Sequence, residues 1–190
     1  VFSMKVVKNL RLEDIQFSEK YIANFPGPNF GIEGVRKVLG IHNRPIIGSI
    51  IKPKVGLTPK EQAILAYEVF KNGVDLVKDD ENLTSLSFNK FESRVKNVLR
   101  LKKRAEKETG SPKLYAFNIT SPVDVMLQRA KFVRKNGGRC VMIDIISCGW
   151  SAVQHLRNQN LGLILHGHRA GHSAFTRDKQ HGVSMLVVAK

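Results

Sequence analysis

The chain has 190 residues, of which 42% are hydrophobic and 25% are charged. This balance is typical of one folded domain with a hydrophobic core and argues against a disordered chain. No segment reaches the roughly 20 consecutive apolar residues that a membrane helix needs, and the first residues lack the apolar core of a signal peptide. We therefore expect a cytoplasmic protein with no membrane partner.

The net charge of +15 is the unusual feature, because 31 Lys and Arg residues stand against 16 Asp and Glu residues. A charge of this size attracts polyanions such as nucleic acids. Much of the excess lies in one segment with helical spacing, whose basic residues are Arg94, Lys96, Arg100, Lys102, Lys103, Arg104 and Lys107. Such residues usually form the solvated face of an amphipathic helix, and no aromatic stacking residues or nucleic-acid motif accompany them. Nucleic acid is therefore not the expected partner.

The first part of the chain has weak patterning, with a possible strand at residues 4–7 and a short helix at residues 18–23. Beyond it, five runs that are apolar on both faces predict parallel strands. The predicted strands are residues 46–51, 74–77, 114–119, 140–146 and 161–166.

Helices are predicted between these strands. The first begins at a capping box, TPKE at residues 58–61, and SPVD at residues 121–124 repeats the device before a later helix. The basic helix begins at about residue 87, and glycines end all three helices, at Gly73, Gly110 and Gly137. The alternation of strands and helices predicts an α/β fold with a parallel sheet.

Polar residues follow almost every predicted strand, where barrel enzymes carry their functional residues. Side chains two apart on a strand share a face, so Lys52 and Lys54 are expected to point together. Lys78 and Asp80 are expected to do the same, with Glu81 joining at the turn. The later strands end in Asn118, in Asp144 and in the run His166 to Arg169. Charges beside buried strands need partners, because an unpaired buried charge is costly.

The string KDDE at residues 78–81 has two interpretations. The plainer one is a salt-bridge cluster of two carboxylates beside a lysine. The other is a site for a hard cation, because Mg²⁺ prefers oxygen ligands. Asp80 and Glu81 supply only two such ligands, and a lysine becomes a third anionic ligand only if its amine is chemically modified.

Three histidines offer a different metal site. The spacing of His166, His168 and His172 would suit a transition metal, although the carboxylate cluster fits magnesium better. Arg169 beside them could clamp a phosphate or form a structural ion pair. The two cysteines, Cys140 and Cys148, have no second pair to form a zinc site and are expected to be buried free thiols.

Five segments, taken in order, strongly resemble the large subunit of ribulose-bisphosphate carboxylase/oxygenase (RuBisCO). They are IIKPKVGLTPKE, GVDLVKDDENLTS, FNIT, VMIDIISCGW and HGHRAGHSAFTRDKQHG, and their combination is far more specific than any one string. GPNFGIEGVRK and DDENLTS resemble the archaeal, form III branch. The resemblance implies a partial (β/α)8 TIM barrel of about five strands in residues 41–190. A linker and the start of the barrel domain would occupy residues 1–40.

The resemblance implies a metal site built on a modified lysine. Lys78 matches the lysine that reacts with CO₂ to form a carbamate. Asp80 and Glu81 match the two carboxylates that bind Mg²⁺ together with that carbamate, whereas Asp79 matches the intervening acid that is not a ligand.

It also implies residues that handle the substrate. Lys52 matches the residue that transfers a proton at C3 of the substrate, and Lys54 matches the neighbour that supports it. Crowded cations are expected to depress the pKa of such a lysine base. His168 matches a histidine near the reacting carbons, Arg169 an arginine that grips one phosphate, and His172 a further active-site histidine.

The implied reaction is enolisation of ribulose 1,5-bisphosphate, attack on CO₂ or O₂, and, on the CO₂ branch, hydration and cleavage to two molecules of 3-phosphoglycerate. In the archaeal branch this implies a role in AMP and nucleoside salvage, and the complete enzyme would be a homodimer or an assembly of dimers. Two alternatives stay open. One is a RuBisCO-like isomerase or enolase, and the other is a non-catalytic basic remnant that binds polyanions.

The sequence departs from the family in several ways. The family's N-terminal domain and its last three barrel strands find no match, so the isolated chain is expected to be inactive. It would expose a strand edge and an apolar interior and dissolve poorly. Gly171 stands where the family usually has methionine, and residues 151–161 form a shortened segment. A register slip of one residue there would turn His168 away from the site.

Overall fold

The structure is a computed structural model that describes residues 4–190. The described chain forms two compact units. The larger unit is residues 28–168, and the smaller unit combines the chain up to residue 27 with residues 169–190. The predicted division at residues 40 and 41 concerns the domains of a longer protein and stays a prediction.

The strands, numbered in chain order, are short. They are β1 (Arg11–Leu12), β2 (Gly48–Ile50), β3 (Leu76–Lys78), β4 (Leu114–Asn118), β5 (Cys140–Asp144), β6 (Ile164–His168) and β7 (Gly182–Val183).

Helices lie between and beyond these strands. They are α1 (Glu19–Ile22), α2 (Gly31–Leu39), α3 (Pro59–Lys71), α4 (Phe91–Thr109), α5 (Val123–Lys135), α6 (Ile145–Cys148), α7 (Trp150–Asn158), α8 (Ser173–Thr176) and α9 (Met185–Ala189). None of the described helices combines the length and the apolar character that crossing a membrane requires.

One parallel sheet organises the larger unit, and the predicted α/β fold is confirmed. Its five strands pair in the order β2-β3-β4-β5-β6. Each strand lies beside the next one in the chain, as in a barrel and unlike a doubly wound sheet, whose order reverses. Within the larger unit neither β2 nor β6 pairs with a second strand, so the sheet is open, as predicted for a partial barrel.

The two faces of the sheet bury different sets of residues, because side chains alternate along a strand. The outer face, with Val77, Tyr115 and Val141, packs under the helices in the main core. The inner face carries Ala116 and Met142, and there α2 covers the N-terminal ends of the strands with its own apolar residues. The expected open apolar interior is therefore partly closed within the larger unit.

The capping box at the start of α3 is confirmed. The Thr58 amide donates to Glu61 Oε2 at 2.8 Å, and the Glu61 amide donates back to Thr58 Oγ1 at 3.3 Å. The second capping box, predicted at residues 121–124 before α5, is wrong, because no side chain caps that helix. The Ser121 hydroxyl instead donates to the carbonyl of Ile119 at 2.7 Å.

The chain before β2 differs from the sequence prediction. Residues 4–7 form a turn rather than a strand, closed by the Val7 amide donating to the Met4 carbonyl at 3.1 Å. The short helix predicted at residues 18–23 is confirmed as α1, which Ser18 caps. In the smaller unit β1 and β7 pair in parallel, and the Ser184 hydroxyl donates to the Glu13 carbonyl at 2.6 Å.

Several predicted boundaries in the larger unit shift, among them the end of β5, which lies at Asp144 rather than at residue 146. Helix α4 begins at Phe91 rather than near residue 87, because Leu86 and Asn89 pair with each other and reverse the chain first. Strand β6 continues to His168, two residues beyond its predicted end.

Both cysteines are free thiols, as predicted. Cys140 is buried, which raises its pKa to about 12, whereas Cys148 is only half-buried.

Arg94 corrects the interpretation of α4 as a uniformly solvated basic face. Its side chain is 0% exposed, and its Nε lies 3.1 Å from the equally buried carboxylate of Asp79. Its other nitrogens donate to the carbonyl of Thr84 at 2.6 Å and to Asn89 Oδ1 at 3.0 Å. One of the seven basic residues of that helix therefore belongs to the interior.

We expect Arg94→Met to destabilise the larger unit by about 3–5 kcal/mol, because it leaves the Asp79 carboxylate buried without its counter-charge. Arg100→Met makes the same chemical change at an exposed position of α4 and should cost less than about 0.5 kcal/mol. Urea unfolding followed by circular dichroism compares the two variants. Equal losses of stability would show that Arg94 does not support the fold through this pair.

Candidate metal and substrate site

Polar residues end four neighbouring strands on one face of the sheet. Lys78 is the last residue of β3, Asn118 of β4, Asp144 of β5 and His168 of β6. Strand register sets Asp144 directly opposite His168. Since side chains alternate, all four share the inner face with Ala116 and Met142. The carboxyl ends of parallel strands thus bring together residues that are far apart in the chain.

Two lysines neutralise the two predicted metal-binding carboxylates. Lys78 Nζ lies 3.2 Å from Glu81 Oε2 and also donates to the carbonyl of Asp79. Lys52 donates to Asp80 Oδ2, and this ion pair joins the loop after β2 to the loop after β3. The four side chains therefore form a cluster of two ion pairs, in which the charge of Asp80 also acts on Glu81 and that of Glu81 on Lys52.

The cluster holds both carboxyl groups in the ionised form. Burial raises the pKa of Asp80, but hydrogen bonds from Lys52 and Asn82 outweigh burial and leave that pKa below its usual value. A backbone hydrogen bond lowers the pKa of Glu81, and Lys78 adds to this against the opposing effect of burial. Ionised carboxylates are among the oxygen ligands that bind a hard cation.

His168 lies between two acids. Its Nδ1 is 3.2 Å from Asp144 Oδ1, and its Nε2 is 3.8 Å from Glu81 Oε2. Burial raises the pKa of Asp144, which the charge of His168 partly offsets. His168 therefore faces the cluster. The register slip of one residue that was considered for β6 does not turn its side chain away from the site.

The loop after β2 differs from the prediction for its lysines. Strand β2 ends at Ile50, so strand alternation does not align Lys52 and Lys54. Both side chains are exposed, and Lys52 reaches Asp80. The carboxylate of Asp80 raises the pKa of Lys52, which corrects the expectation that crowded cations depress it.

Arg169 and His172 follow β6 in the smaller unit. Arg169 is exposed and its carbonyl accepts from the His172 amide at 3.0 Å, while His172 Nδ1 lies 2.8 Å from Thr176 Oγ1. Their roles at the site stay predictions.

The transition-metal interpretation finds no support. Residues 4–190 contain no group of three or more His, Cys, Asp or Glu side chains arranged to hold a metal ion. His166 and His168 are neighbours, with ring centroids 6.5 Å apart. The donor set fits Mg²⁺ only in part, because Asp80 and Glu81 offer two ionised carboxylates while Lys78 is a cation beside them.

Sequence analysis missed the role of Asn118, which it noted only as a polar strand end. The Asn118 side chain is fully buried, and its Nδ2 donates to the carbonyl of Glu81 at 2.7 Å and to that of Asp80 at 3.2 Å. A buried asparagine at the end of an apolar strand was the available signal, because such a group must satisfy several hydrogen bonds.

A parallel sheet in sequential order with polar groups at its carboxyl ends defines the class of α/β-barrel proteins. The model of the ribulose bisphosphate carboxylase large chain, catalytic domain, matches residues 31–190. The chain belongs to that family.

Two curated relatives come from archaea. The ribulose bisphosphate carboxylase of Pyrococcus abyssi is 50% identical over 192 residues, which is 100% of this chain and 45% of the relative. That of Methanosarcina mazei is 50% identical over 193 residues, again 100% and 45% of the two chains. The chain thus spans less than half the length of these relatives.

Solved structures share the fold. An octameric Rubisco from Pyrococcus horikoshii, in complex with sulfate ion, has a TM-score of 0.96 and 48% identity, with 99% of this chain and 45% of that chain covered. A dimeric archaeal Rubisco from Hyperthermus butylicus gives 0.96 and 50%, covering 99% and 44%. A rubisco-like protein from Burkholderia fungorum gives 0.92 and 38%, covering 95% and 45%. The predicted partial TIM barrel is confirmed.

We expect His166 to stay neutral at a pH where ordinary histidines are protonated. Burial lowers its pKa, and the positive charges of His168 and Lys78 lower it further. Lys78→Met should raise the pKa of His166 only partly, because burial is the largest cause. Nitrogen-15 NMR of the imidazoles across pH measures this, with Lys60→Met on the exposed face of α3 as the control. Titration of His166 at or above about 6.5 would contradict the burial argument.

Proposed function

We propose that the protein containing this chain is a Mg²⁺-dependent ribulose-1,5-bisphosphate carboxylase/oxygenase. It enolises ribulose 1,5-bisphosphate and adds CO₂, and hydration and cleavage then give two molecules of 3-phosphoglycerate. The observation that carries the proposal is the contact of Lys78 with Glu81, beside the Asp80 carboxylate, at the carboxyl end of β3. Family membership supports the same assignment.

Lys78 is the residue that would complete the metal site. With both lysines protonated, the two ammonium groups balance the two carboxylates, and a divalent cation gains little there. When the neutral amine of Lys78 attacks CO₂, it releases a proton and becomes a carbamate, so one cation turns into an anionic oxygen ligand. Lys78, Asp80 and Glu81 would then supply three anionic ligands, which suits Mg²⁺.

The other residues act around that centre. Lys52 moves the proton at C3 of the substrate, and Lys54 supports it. Carbamylation of Lys78 would leave Lys52 next to the ligand Asp80. His168 faces the reacting carbons, and Arg169 and His172 bind the substrate, with Arg169 on one phosphate. When bound, Mg²⁺ withdraws electron density from the substrate oxygens and stabilises the charge that develops on them.

The biological setting is part of the proposal. We propose a role in AMP and nucleoside salvage in the cytoplasm, with O₂ as a competing substrate, because the sequence resembles the archaeal branch of the family. The octameric and dimeric Rubisco structures support assembly of the complete enzyme from dimers. Nucleic acid and membranes are not among the proposed partners.

Carbamylation is testable on this chain directly. Incubation with ¹³C-bicarbonate and Mg²⁺ should give one carbamate carbon signal in NMR, because a protonated surface lysine forms no lasting carbamate. Lys78→Ala should remove the signal, whereas Lys60→Ala should leave it in place. A signal of equal intensity in the Lys78→Ala variant would refute the assignment of that lysine.

Turnover needs the rest of the barrel, which a chimera can supply. This chain would replace the matching segment of the Pyrococcus abyssi relative, to which it is 50% identical. We expect the chimera to convert labelled CO₂ into acid-stable phosphoglycerate, and Lys78→Ala to lower that rate by at least about 100-fold. A Lys78→Ala chimera that keeps its rate would overturn the proposal.

A RuBisCO-like isomerase or enolase is the second candidate, favoured by the likeness to the rubisco-like protein from Burkholderia fungorum. In the chimera, a protein of this kind would exchange a carbon-bound hydrogen of ribulose 1,5-bisphosphate with the solvent and incorporate no CO₂. Measuring deuterium exchange and CO₂ incorporation in the same chimera separates the two candidates. The polyanion-binding alternative rests on the net charge of +15 alone.

A further inference from the structure

We propose that Asn118 is a positioning residue for the metal site, because it holds the peptide backbone from which Asp80 and Glu81 project. This inference rests on the proposed function of those two carboxylates. It assigns a role to a residue that donates no ligand and touches the site only through main-chain carbonyls.

The segment needs support because it lies beyond the strand. The pairing of β3 with β4 ends with Lys78, and the Asp79 amide makes one more bond, to the Ala116 carbonyl at 3.1 Å. Asp80 and Glu81 then carry adjacent like charges, which favour turning away from each other. Within the turn, the Leu83 amide donates to the Asp80 carbonyl at 3.0 Å.

Asn118 bridges this turn from the neighbouring strand. Both hydrogens of its Nδ2 are used, one on the Glu81 carbonyl at 2.7 Å and one on the Asp80 carbonyl at 3.2 Å. Its Oδ1 accepts from the Thr120 amide at 3.0 Å, which fixes which end of the side chain is nitrogen. The amide therefore holds two successive peptide groups at once.

Asn118 is itself held from the opposite face of the sheet. Its backbone amide donates to Asp79 Oδ2 at 2.9 Å. The same carboxylate accepts from Gln62 Nε2 at 2.7 Å, from the Tyr115 hydroxyl at 2.6 Å and from Arg94 Nε at 3.1 Å. All of these groups are buried. A chain of bonds thus runs from the helix layer through Asp79 and Asn118 to the metal-binding turn.

The test compares two single deletions in this buried network. Asn118→Ala removes the bonds to the turn, whereas Tyr115→Phe removes one donor to Asp79 and leaves Asn118 intact. We expect Asn118→Ala to weaken Mg²⁺ binding in the presence of CO₂ by about 10- to 100-fold, as outer groups around metal sites do. Tyr115→Phe should change that affinity less than twofold, even if it lowers stability.

Calorimetric titration with Mg²⁺ measures the affinity of both variants, well below the unfolding temperature. Unchanged affinity in Asn118→Ala, or an equal loss in Tyr115→Phe, would overturn the inference.

Hydrogen exchange separates this inference from the proposed function. If the unmodified chain binds no Mg²⁺ with CO₂ present, the proposed function fails, and the amides of Asn82 and Leu83 still report on the turn. Their exchange should accelerate in Asn118→Ala and not in Tyr115→Phe. If Asn118→Ala does not fold, amide exchange in the unmodified chain tests the inference. Exchange of those amides as fast as in the exposed loop at residues 54–56 would sink the idea, and slow exchange would support it.

Discussion

The buried ion pair between Arg94 and Asp79 is the constraint on which the candidate site depends. Both side chains are fully buried, so removal of either partner would leave a charge in a medium that solvates it poorly. The pair joins α4 to the end of β3, one residue before the acids of the site. The packing of α4 on one face of the sheet therefore fixes the direction of the chain after β3. That direction determines where the carboxylates of Asp80 and Glu81 lie.

Strand alternation explains why adjacent acids have different surroundings. Asp79 follows Val77 onto the helix side and meets four donors, whereas Asp80 follows Lys78 onto the inner side and meets Lys52. The inner cluster is electrically balanced as it stands. In the proposed function this balance changes at Lys78, whose ammonium group would be replaced by an anionic carbamate.

Much of this could be predicted from the sequence, since apolar runs and a capping box report on local structure. The parallel sheet, the start of α3 and the polar ends of β3 to β6 follow from such patterns. Helix α2 was not predicted, because Gly31 and Gly34 lower its helix propensity and burial of its apolar face forms it. Arg94 was misplaced for a related reason. Its spacing marks it as basic and helical, but only the position of Asp79 in space shows that it points inward.

The four residues KDDE belong to two layers of the fold, because Asp79 lies on the helix side and the others belong to the inner cluster. The string therefore cannot be transferred to another protein by itself. A designer who grafts these four residues onto another strand would transfer the inner lysine and acids together with a carboxylate that points into the host's helices. That host would have to provide an arginine, a glutamine, a tyrosine and a backbone amide in the arrangement that surrounds Asp79 here. The smallest portable form of this centre is therefore a strand pair with its two covering helices, α3 and α4.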